Sequence, residues 1–136
     1  MNASERMSAC EPLTASGVAA ALAARRYSFV SERSLQRAVG SVLESAFPGA
    51  FRAEVKLGDA GRIDFLAVRE GVGIEAKAYR TGGTPSDVLQ QLLGYALHPE
   101  ICSLVLVAGS PALVSALPDR LHGKTVIGVI AQGSLV

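Results

Sequence analysis

Three observations predict a mixed α/β fold in which one sheet is flanked by helices. Residues 62–69 and 72–78 are strand-like runs joined by the turn Glu70-Gly71, which together read as a hairpin. Residues 101–108 are almost continuously apolar, the mark of a strand covered on both faces. Around these lie segments with helical apolar spacing, opened by cap residues at Ser31 and Thr84.

Taken in order, residues 1–12 are expected to form a loose tail and residues 13–136 a single domain. A chain of 136 residues can bury an ordinary core but has no room for a separate specificity domain. The alanine-rich stretch from about Thr14 reads as a short helix. Arg25 and Arg26 follow its apolar run instead of preceding it, and the run is too short to span a bilayer, so neither a secretion signal nor a membrane span is expected. Ser31 caps a second helix through about Ala46, with Glu32 in its first turn and Leu35, Val39, Val42, Leu43 and Ala46 as its buried stripe. Phe47-Pro48-Gly49 stops it. Residues 51–57 give a first strand, residues 58–61 a turn, and the hairpin follows. Gly82 and Gly83 break the chain, and Thr84-Pro85 opens a helix to about Leu97, stopped by His98-Pro99. After the strand at 101–108, a short helix over 111–117 and a strand over 124–131 complete the order.

Lys plus Arg is 13 and Asp plus Glu is 12, a net charge of +1, which argues against a protein that coats nucleic acid by bulk charge. Cys10 and Cys102 have no metal-ligand spacing, and a reduced, cytoplasmic compartment is the simpler expectation. His98 and His122 are isolated, so no zinc site is legible.

The hairpin carries the chemistry. Strand alternation puts Glu75 and Lys77 on one face, and pairing with the preceding strand brings Asp64 beside them. Charges in otherwise apolar strands are costly unless they serve a site or face water. Two carboxylates about 4 Å apart repel by roughly 4 kcal/mol at the effective dielectric near a protein surface, so such a pair calls for a cation. Oxygen donors favour Mg²⁺ or Mn²⁺, which would activate a water, polarise a phosphoryl oxygen and absorb transition-state charge. Lys77 would orient the water and stabilise a pentavalent phosphorane. On the next helix, Gln91 and Tyr95 lie one turn apart and share a face. The plainer alternative is a helix edge whose tyrosine packs with Val88 and Leu92. Glu32 also has a plain reading, as an acid favoured by the macrodipole at a helix start.

Gly61-Arg62-Ile63-Asp64, followed after ten residues by Glu75-Ala76-Lys77, resembles the metal-binding signature of the PD-(D/E)xK nuclease superfamily, with Ile63 where that family often has proline. Gln91 and Tyr95 match the Gln-x-x-x-Tyr motif of its RecB-like and lambda-exonuclease-like branch, on the helix after the lysine strand. The matching segments run over residues 31–107. The resemblance implies a restriction-endonuclease-like core of order αβββαβ and Mg²⁺- or Mn²⁺-dependent hydrolysis of DNA phosphodiester bonds in repair, recombination or defence. It implies Asp64, Glu75 and the main-chain carbonyl of Ala76 as metal ligands, with Lys77 catalytic. Glu32 would be an acid from the first core helix, supporting the metal or holding a second ion. Gln91 would lie near the metal or substrate, and Tyr95 on the DNA. Arg62, Arg80 and Lys56 surround the hairpin as candidate phosphate contacts, while Arg25, Arg26, Arg33 and Arg37 form a basic patch with no assigned base readout. A homodimer, or association with other DNA-processing proteins, is implied in the same way. Two alternatives stay open: a catalytically silent nuclease-fold module that binds nucleic acid or a partner protein, and an unrelated α/β domain whose Glu75-Ala76-Lys77 is a surface strand.

Overall fold

The computed structural model describes residues 12–78 and 85–131. Its elements are helices α1 (Ala15–Ala23) and α2 (Glu32–Ala46), strand β1 (Arg52–Lys56), a 3₁₀ turn (Gly58–Ala60), strands β2 (Arg62–Ala67) and β3 (Val72–Lys77), helix α3 (Pro85–Ala96), strand β4 (Ser103–Ala108), helix α4 (Pro111–Ser115), and strands β5 (Arg120–Leu121) and β6 (Lys124–Ile130). The strands make one open mixed sheet in the order β1-β2-β3-β4-β6-β5. The β1, β2 and β3 neighbours are antiparallel, β4 lies parallel to β3 and β6, and β5 is antiparallel to β6. Helix α3 supplies the crossover that parallel β3 and β4 require.

Local chemistry fixes the helix starts. Thr14 Oγ1 accepts from the Gly17 amide at 3.1 Å at the head of α1. Ser31 and Ser34 exchange side-chain and backbone bonds in a reciprocal cap on α2. Between the two helices Tyr27 is buried, and its hydroxyl donates at 2.6 Å to the Leu22 carbonyl, which among the described residues otherwise takes only the long 3.4 Å bond from the Arg25 amide at the end of α1. Burial pushes that hydroxyl up to about 12.

The two sheet faces carry separate cores. On one, α1 and α2 cover Phe65, Ile74, Ala76, Val105, Val107 and Val129. On the other, α3 and α4 cover Ile63, Leu66, Leu104, Leu106 and Val126. Strand β4 serves both, and Leu104 to Ala108 have no or almost no exposure, as the apolar run predicts. The expected strand start at residue 101 moves to Ser103, because the Cys102 amide donates out of the ladder to the Gly71 carbonyl at 2.8 Å. The two-residue strand β5 lies where no strand was expected; its hairpin with β6 turns at His122 and Gly123, both with positive φ. The expected tail through residue 11, the Thr84 cap and Arg80 lie outside the described residues. Among the described residues no helix is long and apolar enough to cross a membrane.

Candidate metal and phosphodiester site

Strand β2 rolls over at Asp64. In a regular strand residues two apart share a face, yet Ile63 packs in the α3 core and Phe65 in the α2 core. Pairing of β2 with β3 runs from Ala67↔Val72 to Phe65↔Ile74 and ends there. On the other side β1 and β2 pair at Ala53↔Phe65 and Val55↔Ile63, skipping Glu54 opposite Asp64, and Glu54 has φ 52°. A non-glycine residue in that region marks a local irregularity that its surroundings must hold in place.

Side chains close the gap left by the roll. The Ala76 amide donates to Asp64 Oδ2 at 2.7 Å, and the Asp64 amide donates to Glu75 Oε1 at 3.2 Å. Each carboxylate thus takes a backbone donor from the other's strand, a reciprocal latch between β2 and β3. Glu75 Oε2 meets Lys77 Nζ at 3.3 Å. Glu75 and Lys77 are 3% and 8% exposed, so the surface-strand alternative for Glu75-Ala76-Lys77 does not hold.

Burial of two acids together sets the electrostatics. Glu75 is pushed up to about 8, first by burial and next by the Asp64 charge, with Lys77 opposing. Asp64 is also raised, first by burial, against the lowering influence of the Ala76 amide and Lys77; Glu32 and Glu54 add to the rise. Glu32, at the start of α2, therefore lies within electrostatic range of Asp64, and among the described residues its Oε1 is buried with no hydrogen-bond partner. Glu54 is an acid near the site that the sequence expectation missed. Its signal was the register, since the strand preceding the Asp64 strand places an acid directly opposite it.

Helix α3 closes the site from the other face. Tyr95 is 0% exposed; its hydroxyl donates to the Arg62 carbonyl at 2.7 Å and accepts from Gln91 Nε2 at 3.0 Å. Burial, then the charges of Glu75 and Asp64, raise its hydroxyl, which places Tyr95 within electrostatic reach of both acids. The expected contact of Tyr95 with DNA is not open to a ring without exposed surface. Tyr95 instead holds the start of β2, and it also packs with Val88 and Leu92 as the plainer reading had it. Arg62 and Lys56 are exposed and paired across β1 and β2; Arg80 is not described.

Asp64 and Glu75 are the paired oxygen donors available to a hard cation. Among the described residues no three or more His, Cys, Asp or Glu side chains gather as an ion-holding group, but a Mg²⁺ site needs only one or two carboxylates, with water completing the shell. Asp64 and Glu75 are held together at a net charge cost, and Glu32 Oε1 is buried nearby without a donor. The Lys77 carbonyl accepts from Gly109 on the β4 side. The N–H and C=O of one strand residue leave on the same side, so the Ala76 carbonyl, like its amide, leaves on the β2 side of the strand.

No family model matches the chain, and comparison with curated proteins and with solved structures likewise gives no match.

Proposed function

We propose that this chain is a Mg²⁺- or Mn²⁺-dependent nuclease that hydrolyses DNA phosphodiester bonds, built on a restriction-endonuclease-like core. One observation carries the reading: Glu75 and Lys77 are buried beside the half-buried Asp64 where β2 and β3 stop pairing, a charged cluster set in an otherwise apolar hairpin. Asp64, Glu75 and the Ala76 carbonyl would hold the ion, and Glu32 would support it or hold a second ion. When bound, the ion supplies a Lewis acid and a counter-charge to the acids. Lys77 orients the attacking water and meets the charge that develops on the phosphorane oxygens. Tyr95 and Gln91 fix the start of β2 and so the direction of Asp64. The setting carried by the resemblance is repair, recombination or defence, with a homodimer or other DNA-processing proteins as partners.

The competing reading takes the Asp64–Glu75 latch as wholly structural, in a silent module of the same fold. The latch itself favours it, since both carboxylates already serve backbone amides. Asp64→Asn separates the two, because the Asn side-chain oxygen can still accept from Ala76 while the charge is gone. With linear, circular, branched and single-stranded DNA and either metal, the proposed enzyme cuts at least one substrate. The metal-free variant should melt at or above the wild-type temperature, since a charge held at a cost is gone, and it should lose about 10²-fold or more of the rate. Cleavage unchanged by Asp64→Asn, or absent from the wild type in every format at high protein, refutes the nuclease reading.

A further inference from the structure

Beside the acids, α2 and β1 enclose a cleft of about 260 Å³ lined by Arg33, Gln36, Arg37, Gly40, Glu54 and Phe65. Its floor is the Phe65 ring, which lies close to α2 because residue 40 has no side chain: a Cβ there would sit 3.1 Å from the ring edge. Phe65 directly follows Asp64 in β2, so the cleft opens beside the latch.

The placement of charge in this cleft runs against local helix stability. Arg33 is in the first turn of α2, where the macrodipole disfavours a cation. Arg37 follows it by four residues, on the same face one turn away, where like charges repel. Both are exposed, and among the described residues neither forms a salt bridge. Arg33, held against the dipole, and Arg37, held against Arg33, line a cleft that also carries Glu54, whose place in β1 lies opposite Asp64, and the pair is complementary to a polyanion whose next charge would lie on the ion side. The helical rise between them, about 6 Å, suits consecutive phosphates of a single strand.

We infer that this cleft is the track for the sugar-phosphate backbone of one DNA strand, with Arg33 and Arg37 gripping consecutive phosphates and directing the strand toward Asp64. The inference rests on the nuclease reading for its substrate but is tested by binding, apart from cleavage. Glu54, at the acid end of the cleft, sets the limit of the track by repelling a phosphate that has no cation between them.

The test measures fluorescence anisotropy of a labelled single-stranded oligonucleotide in an Asp64→Asn background, which binds without cutting, between about 20 and 200 mM NaCl. Each phosphate contact on a single strand contributes about 0.7 to the slope of log K against log salt. The Arg33→Gln/Arg37→Gln double variant should lower that slope by about 1.4 and weaken binding about tenfold at low salt. The double variant Arg69→Gln/Arg120→Gln removes the same charge from exposed positions outside the cleft and should leave the slope unchanged. Because the cleft arginines oppose the helix, their double variant should melt at or above the parent temperature. No binding by the parent, an unchanged slope in the cleft variant, an equal loss in both doubles, or a lowered melting temperature in the cleft variant each overturns the inference. If the arginine-intact wild type cuts DNA while the cleft variant keeps the parent slope, the track fails and the nuclease reading stands. The reverse pattern leaves the track standing and removes the nuclease reading.

Discussion

The two ends of the β2–β3 hairpin are built from the same strands by different means. At the turn end, Ala67↔Val72 and Leu66↔Gly73 continue a regular ladder, and the Gly71 carbonyl accepts from the Cys102 and Ser103 amides, tying the turn to β4. At the other end the ladder stops, and the amides of Asp64 and Ala76 go to the carboxylates of Glu75 and Asp64. The turn end is held by backbone groups that have no further task. At the acid end the atoms that keep the strands in register are also the charges of the site, so folding and chemistry there compete for the same oxygens. A cation would relieve that competition by stabilising the charged form of both acids.

The largest consequence is a pH dependence confined to the acid end. In the metal-free protein Glu75 is raised from an ordinary 4.5 to about 8, so over that window the folded state keeps a proton that the unfolded chain has released. Stability is therefore present in full at low pH and is lost as pH rises from about 4.5 toward 8, and Asp64, raised for the same first reason, acts in the same direction. Urea unfolding at pH 5.5 and pH 8 should differ by on the order of 3 kcal/mol. Adding Mg²⁺ or Mn²⁺ should recover most of the loss at pH 8 and little at pH 5.5, where protonated carboxyls bind cations weakly. Glu75→Gln should flatten the profile and abolish the metal effect. A metal-free stability that is level across this range would mean the acids are not held together as the latch requires.

The turn end gives the converse. Gly71 has φ 71°, and a Cβ there would meet Cys102 Sγ at 2.6 Å and the Cys102 backbone nitrogen at 3.0 Å. Gly71→Ala combines left-handed backbone strain with a clash against Cys102, just before β4, and should cost on the order of 2–3 kcal/mol by urea unfolding. Metal affinity and cleavage per folded molecule should stay at wild-type values, since the acid end does not depend on that turn. If Gly71→Ala weakened metal binding tenfold, the two ends would be one cooperative unit and the contrast between them would fail.

How much of this was legible follows the range of each interaction. The cap at Ser31, the Pro85 start of α3 and the buried β4 run depend on neighbours in sequence, and the pattern shows them directly. Glu75 and Lys77 on one face follow from strand period alone, and Gln91 with Tyr95 from helix period alone. The roll at Asp64 was not legible, because Ile63 and Phe65 are both apolar and satisfy either core equally well. The latch was hidden for the same reason: alternation assigns faces but does not show a side chain taking a backbone partner. The burial of Tyr27 was not legible because its hydroxyl's partner is a single carbonyl, and β5 is too short for any periodicity.

The smallest effect probes what joins α3 to the acid end. Tyr95→Phe keeps the ring in the core but removes the bond to the Arg62 carbonyl and the acceptor for Gln91, a net cost of about 0.5–1.5 kcal/mol. Arg62 opens β2 two residues before the roll, so the freed carbonyl loosens Asp64 while the turn end keeps its ladder. Hydrogen exchange should therefore quicken at the Asp64 and Ala76 amides and stay constant at those of Leu66 to Val72, with the turnover rate falling several-fold and metal affinity changing less. A positioning role predicts that local pattern. Exchange quickening evenly along the whole hairpin would instead make the Tyr95 hydroxyl an ordinary contributor to stability, and Asp64 would owe its direction to the latch alone.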